Sequence, residues 1–128
     1  MSGKCDAAAR ATAEYRALVG AAASLVVRWR LSSRSLDALL GCSAGSGEAI
    51  VAGRILADPD TEERLRRLVE VDLLARRVLR DDAVVREWVH RPCACLWHRS
   101  PLGRMTLEGG LEEVALELRR DLVDGAGI

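Results

Sequence analysis

A chain of 128 residues, 49% apolar and 30% charged, is sized for one domain or for two small lobes sharing a core. Its 19 Lys and Arg equal its 19 Asp and Glu, so no overall field draws it onto DNA or an anionic membrane. Leu, Val and Ala supply most of the apolar content, Phe is absent, and three Trp and one Tyr are the only aromatics, which is helix-bundle material.

Residues 6–30 form an Ala-rich helical stretch, with Gly20 a weak point that can divide it. Its longest apolar run, Leu18 to Val27, is interrupted by Ser24 and flanked by Arg16 and Arg28. It falls far short of the ~20 apolar residues that span a membrane, so no membrane association is expected. Ser33 is the expected cap of a short helix whose Leu36, Leu39 and Leu40 share one face. Gly41-Cys42-Ser43 reads as a tight turn, and a further short helix follows to about Arg54.

Asp58-Pro59-Asp60-Thr61 combines a breaker with an N-cap, and Glu62 and Glu63 complement the positive end of a long helix running to about Leu79. Leu65, Leu68, Val71, Leu74, Ala75, Val78 and Leu79 supply its buried side, with Asp72 and Leu73 blurring the stripe. Asp81 or Asp82 caps a shorter helix through Trp88. Arg91-Pro92 leaves that helix, because the proline ring disfavours a preceding α-conformation. Ser100-Pro101 starts another, and Gly109-Gly110 is the expected stop. In the last helix, Leu111 to Val123, the offsets of Val114, Ala115, Leu118 and Leu122 from Leu111 give the clearest helical period of the chain. Gly125 can close it in a left-handed conformation. No stretch alternates as a strand does.

Several residues invite chemistry. His90, Cys93, Cys95 and His98 are four possible zinc ligands within nine residues, yet one short loop wraps a tetrahedron poorly. Small thiols packed beside Trp97 are the simpler reading, and no metal is expected. No secretory signal precedes the cysteines, and Cys93 and Cys95 are too close to staple distant segments, so a reducing cytoplasmic compartment is expected. A catalytic Cys–His pair lacks an orienting Asn or Asp, and Gly45-Ser46-Gly47 lacks the Lys-Ser/Thr of a phosphate cradle. An enzyme is therefore not expected.

Trp88, Arg91-Pro92, Arg99-Ser100-Pro101-Leu102, Glu108-Gly109-Gly110 and a terminal amphipathic helix, in this order, resemble the C-terminal toxin-binding domain of Xre/MbcA/ParS-type antitoxins. The likeness is best from about Asp60 to Ile128. In that family the loop commonly reads Arg-Pro-Asn and Gly-Gly before Arg-Thr-Pro-Leu, whereas Cys93, Trp97 and His98 stand at the matching places here. The resemblance implies an all-α protein with a helix-turn-helix-like N-terminal lobe over residues 1–57 and a toxin-binding lobe over 58–128. It also implies a RES-domain toxin as partner, which degrades or transfers from NAD. The chain would bind no NAD, take no cofactor and cover the entrance to the toxin's pocket. Expected contacts are Trp97, Arg99, Pro101, Leu102, Glu113, Glu117, Arg120, Asp124, Gly125 and Ile128. A homodimer through the N-terminal lobe, within a hetero-oligomer, is implied as well.

The main alternative is a stand-alone helix-turn-helix regulator binding operator DNA. Residues 1–57 carry seven basic and four acidic side chains, and residues 58–128 carry twelve and fifteen, so the front is mildly basic. Arg28, Arg30, Arg34 and Arg54 are the candidate phosphate contacts. Residues 43–52, at the place of a recognition helix, offer no Arg, Lys, Asn or Gln to read base edges.

Overall fold

The computed structural model describes residues 2–93, 96 and 98–124, with side chains described for those between 13 and 123. Among the described residues seven helices follow in order: α1 (Ser2–Trp29), α2 (Ser33–Leu40), α3 (Ser46–Val51), α4 (Pro59–Leu79), α5 (Asp82–His90), α6 (Pro101–Met105) and α7 (Gly110–Asp124). Among the described residues there is no strand, only an isolated antiparallel bridge between Cys93 and Arg99. The all-α expectation holds.

α1 is one uninterrupted helix, so Gly20 does not divide it. Val19, Ala22, Leu25 and Trp29 form a single buried stripe along it. Burying that stripe outweighs the roughly 1 kcal/mol that a glycine costs inside a helix. No described helix is long and apolar enough to cross a membrane.

The cap of α2 is Ser32, not Ser33: its hydroxyl accepts the N–H of Ser35 at 3.1 Å. Gly41 closes α2 in the left-handed conformation at φ 65°. α3 ends at Val51, short of Arg54, and its N-cap is Gly45, which has no side chain to cap it. Asp37 of α2 does this instead, accepting the N–H groups of Gly45 at 2.9 Å and Gly47 at 2.8 Å. Gly47 has to be glycine for this contact, since a Cβ there would lie 2.7 Å from Asp37 Oδ1.

Asp58 caps α4 by accepting the N–H of Thr61 at 2.8 Å, with Pro59 in the first turn. Asp81 caps α5, which runs two residues past Trp88 to His90. Ser100 caps α6 by accepting the N–H of Gly103 at 2.9 Å. The glycine pair is not the stop of α6, which ends at Met105 with Thr106 as its C-cap. Gly109, at φ 72°, turns the chain and Gly110 opens α7. The backbone of α6 comes so near that a Cβ on Gly110 would sit 1.8 Å from the carbonyl oxygen of Arg104.

All seven helices meet in one core. Leu25 and Trp29, Leu36, Leu39 and Leu40, Ile50, Leu65, Leu68 and Val71, Val85 and Val89, Met105, and Val114 and Leu118 belong to the same buried cluster. Both halves of the chain therefore share a core. Tyr15 adds a polar tie, its hydroxyl accepting the N–H of Ala57 at 2.9 Å and holding the α3–α4 linker to α1.

A buried carboxylate also joins the halves. Asp72, only 3% exposed, faces Arg28. The two guanidinium nitrogens donate to its oxygens at 2.9 and 2.8 Å, and the indole N–H of Trp29 donates to Oδ1 at 3.1 Å. His90 completes the joint, with Nε2 2.7 Å from the carbonyl oxygen of Trp29. One residue of α4 thus fixes the end of α1, and α5 covers that end.

Candidate protein-binding surface

The loop before α6 is closed on itself. Cys93 donates its N–H to the carbonyl of Arg99 at 2.9 Å, and His98 and Leu96 donate theirs to the carbonyl of Cys93 at 2.9 and 3.0 Å. Leu96 is buried, anchoring the loop in the core, while His98 and Arg99 are exposed. Cys93 is half-buried and disulfide-bonded, which corrects its reading as a small free thiol. His90, on α5, is engaged with Trp29. Trp88 is half-buried against the core.

The expected contact residues divide into three groups. Arg99 is exposed at the entry to α6, and Glu117 and Arg120 lie on the outer side of α7, paired at 3.3 Å. Pro101, by contrast, is buried, because as the first residue of α6 its ring packs inward; it is corrected from contact to support. Leu102 is half-buried against the core. Glu113 is partly buried and accepts from Arg104, whose Nε lies 2.6 Å from its Oε2. That pair braces α6 on α7, so Glu113 is a strut before it is a contact. Trp97, Gly125, Ile128 and the side chain of Asp124 lie outside the described residues.

α7 presents more than the charged residues expected of it. Leu116 is 55% exposed and Val123 85%, with Leu122 partly open beside it. An outward leucine amid Glu112, Glu117, Arg119 and Arg120 makes an amphipathic outer face in addition to the buried one. The sequence carried this signal, since Leu116 falls off the stripe of Leu111, Ala115 and Leu118. At its start, α7 adjoins a hollow of about 510 Å³ lined by Asp60, Glu63, Arg64, Leu107, Glu108 and Glu112 among others. Four carboxylates against one guanidinium make it acidic. Among the described residues no three His, Cys, Asp or Glu side chains are grouped to hold a metal ion.

The first half of the chain departs from its sequence reading in one respect. Arg28 is spent on Asp72, whose hydrogen bonds raise the guanidinium pKa further, so it is corrected from phosphate contact to structural tie. Arg30, Arg34 and Arg54 are exposed and have no ion pair among the described residues. α3 is six residues long, with exposed Glu48 in its first turn. The chain matches no protein-family model and no curated protein.

Proposed function

We propose that the chain is an antitoxin that binds a RES-domain toxin and blocks its NAD pocket. The outer face of α7 carries this reading: Leu116 and Val123, seven residues apart and so on one side of the helix, stand exposed with Arg119 and Arg120 between them, and this side leads directly into the last residues of the chain. Exposed aliphatic side chains set among charged ones suit a protein partner. The ordered motifs from Trp88 to Gly110 supply the family likeness that names the partner. In this reading α7 lies on the toxin, Arg99 and Leu102 flank the contact, and residues 124–128 reach the pocket mouth. The chain itself binds no NAD and catalyses nothing. Homodimerisation and operator contact through Arg30, Arg34 and Arg54 belong to the same reading and rest on the resemblance alone.

The test is co-expression of a RES-domain toxin, sought in the adjacent reading frame, with full-length protein, with Leu116→Glu, and with a chain stopped after Val123, following growth and NAD level. Full-length protein is expected to protect both. Leu116→Glu, exposed and so expected to fold, should lose protection by at least about tenfold in toxin affinity, the scale of a contact that matters at an interface centre. Unchanged protection by Leu116→Glu would remove α7 from the contact. Equal protection by the truncated chain would remove the tail from the pocket.

A further inference from the structure

We infer that the C-terminal turns of α4 form a docking surface for an acidic segment of another protein, one that carries a large apolar side chain among its carboxylates. Two adjoining hollows open there. One, of about 510 Å³, is lined by Leu73, Arg76, Arg77, Arg80 and Asp82, and the other, of about 280 Å³, by Glu70, Leu73, Leu74 and Arg77. Leu73 and Arg77 belong to both, so the hollows form one groove. Leu73, 55% exposed, stands where they join.

The charges of this groove do not cancel within the chain. Its carboxylates are engaged, Glu70 with Arg67 and Arg119, and Asp82 with Arg76 at 3.5 Å. Arg76 also faces Asp72 at 3.9 Å. Arg77 and Arg80 are exposed and have no ion pair among the described residues, which leaves two guanidinium groups beside the leucine. Cations at a helix C-terminus answer its dipole, and this accounts for the arginines but not for a leucine open to solvent among them. Arg80 moreover lies at φ 63°, a backbone region that glycine adopts more readily.

The chemistry of the occupant follows from this pairing. A guanidinium takes a carboxylate through two parallel hydrogen bonds, and two such groups three residues apart suit two carboxylates on one partner segment. Beside them Leu73 and half-buried Leu74 offer an apolar seat for a side chain between those carboxylates. A nucleic-acid backbone matches the arginines but has nothing apolar to set on Leu73. The groove is lined by α4 and the start of α5, not by the outer side of α7, and the inference goes beyond the antitoxin reading.

The probe is a short peptide of glutamates around a single central leucine, titrated at low ionic strength to about 1 mM into the nitrogen-15-labelled chain. Saturable shifts are expected at the Leu73, Leu74, Arg77 and Arg80 signals, and none from the same peptide made with glutamine. Arg77→Ala combined with Arg80→Gly should weaken binding at least about tenfold. Both positions are exposed and glycine suits the backbone of residue 80, so this variant is expected to fold. Leu73→Ser should weaken the leucine peptide and leave a peptide of glutamate alone unaffected. Arg54→Glu makes the same change in net charge as the double variant, at a distant exposed site, and should leave binding as it is. A wild type that does not approach saturation, a glutamine peptide that binds equally, or shifts spread alike over Arg34 and Arg54 would each overturn the inference. So would a double variant no weaker than Arg54→Glu, or a DNA duplex that moves the same four signals at lower concentration than the peptide does.

Discussion

Asp72 is ionisable and almost wholly removed from water, and its surroundings supply what water would have done: two guanidinium N–H groups, an indole N–H and, at 3.9 Å, Arg76. Such a group is costly once a partner is taken away, because the remaining charge stays buried. Arg28→Ala is accordingly expected to lower the stability to urea by about 3 kcal/mol. Arg34→Ala, exposed and unpaired among the described residues, should stay within about 0.5 kcal/mol. Equal effects would mean that Asp72 is held by Trp29 alone. In the sequence Asp72 looks like a flaw in the apolar stripe of α4, because a hydrophobic pattern registers only that the residue is polar. Its partner lies 44 positions away on another helix, a separation at which no local spacing rule operates. The same blind spot placed Arg28 among the DNA candidates.

At the level of elements, α2 and α3 form a unit clasped by one carboxylate. The Gly45 and Gly47 N–H groups hold the Asp37 carboxyl below the usual carboxylate range, against a smaller opposing effect of burial. A carboxyl with a lowered native pKa contributes stability that is fully present above its unfolded value of ~3.9. That contribution is lost as pH falls through the lower native value. Urea unfolding at pH ~6 and pH ~2 should therefore show a loss of stability in acid, and Asp37→Asn should show a smaller one. Some acid dependence remains in the variant, since Asp58 is lowered in the same way by the N–H of Thr61. An identical loss in both proteins would rule the clasp out as its source. Elements whose signals are local were legible: Asp58-Pro59 and Ser100-Pro101 start helices, and Leu111, Val114, Ala115 and Leu118 fall on the buried face of α7. Gly109-Gly110 was misread because glycine marks an end and a close approach equally well, and only the proximity of α6 decides between them.

At the scale of the whole molecule, α1 packs on α4 and α5, and α2 on α4, across the middle of the chain, beside the more extensive packing of α4 on α7 within the second half. Unfolding followed by tryptophan fluorescence and by far-ultraviolet dichroism is expected to give one coincident transition. A fragment of residues 58–128 lacks Leu25, Trp29 and Arg28 and should show no cooperative transition of its own. A sharp transition in that fragment would establish two independent domains in place of one shared core. The site was less legible than the fold at this scale. Glu117 and Arg120 were expected on an outward side of α7 and lie there, while the exposure of Leu116 and Val123 requires knowing which side α4 covers. The junction of α1 with α5 carries a chemical consequence of its own. A peptide carbonyl can only accept, so the His90 nitrogen facing Trp29 must be the one bearing hydrogen. The neutral ring is thereby held as the Nε2–H tautomer, with its lone pair on Nδ1, and a nitrogen-15 spectrum would display this asymmetry as two well-separated ring resonances.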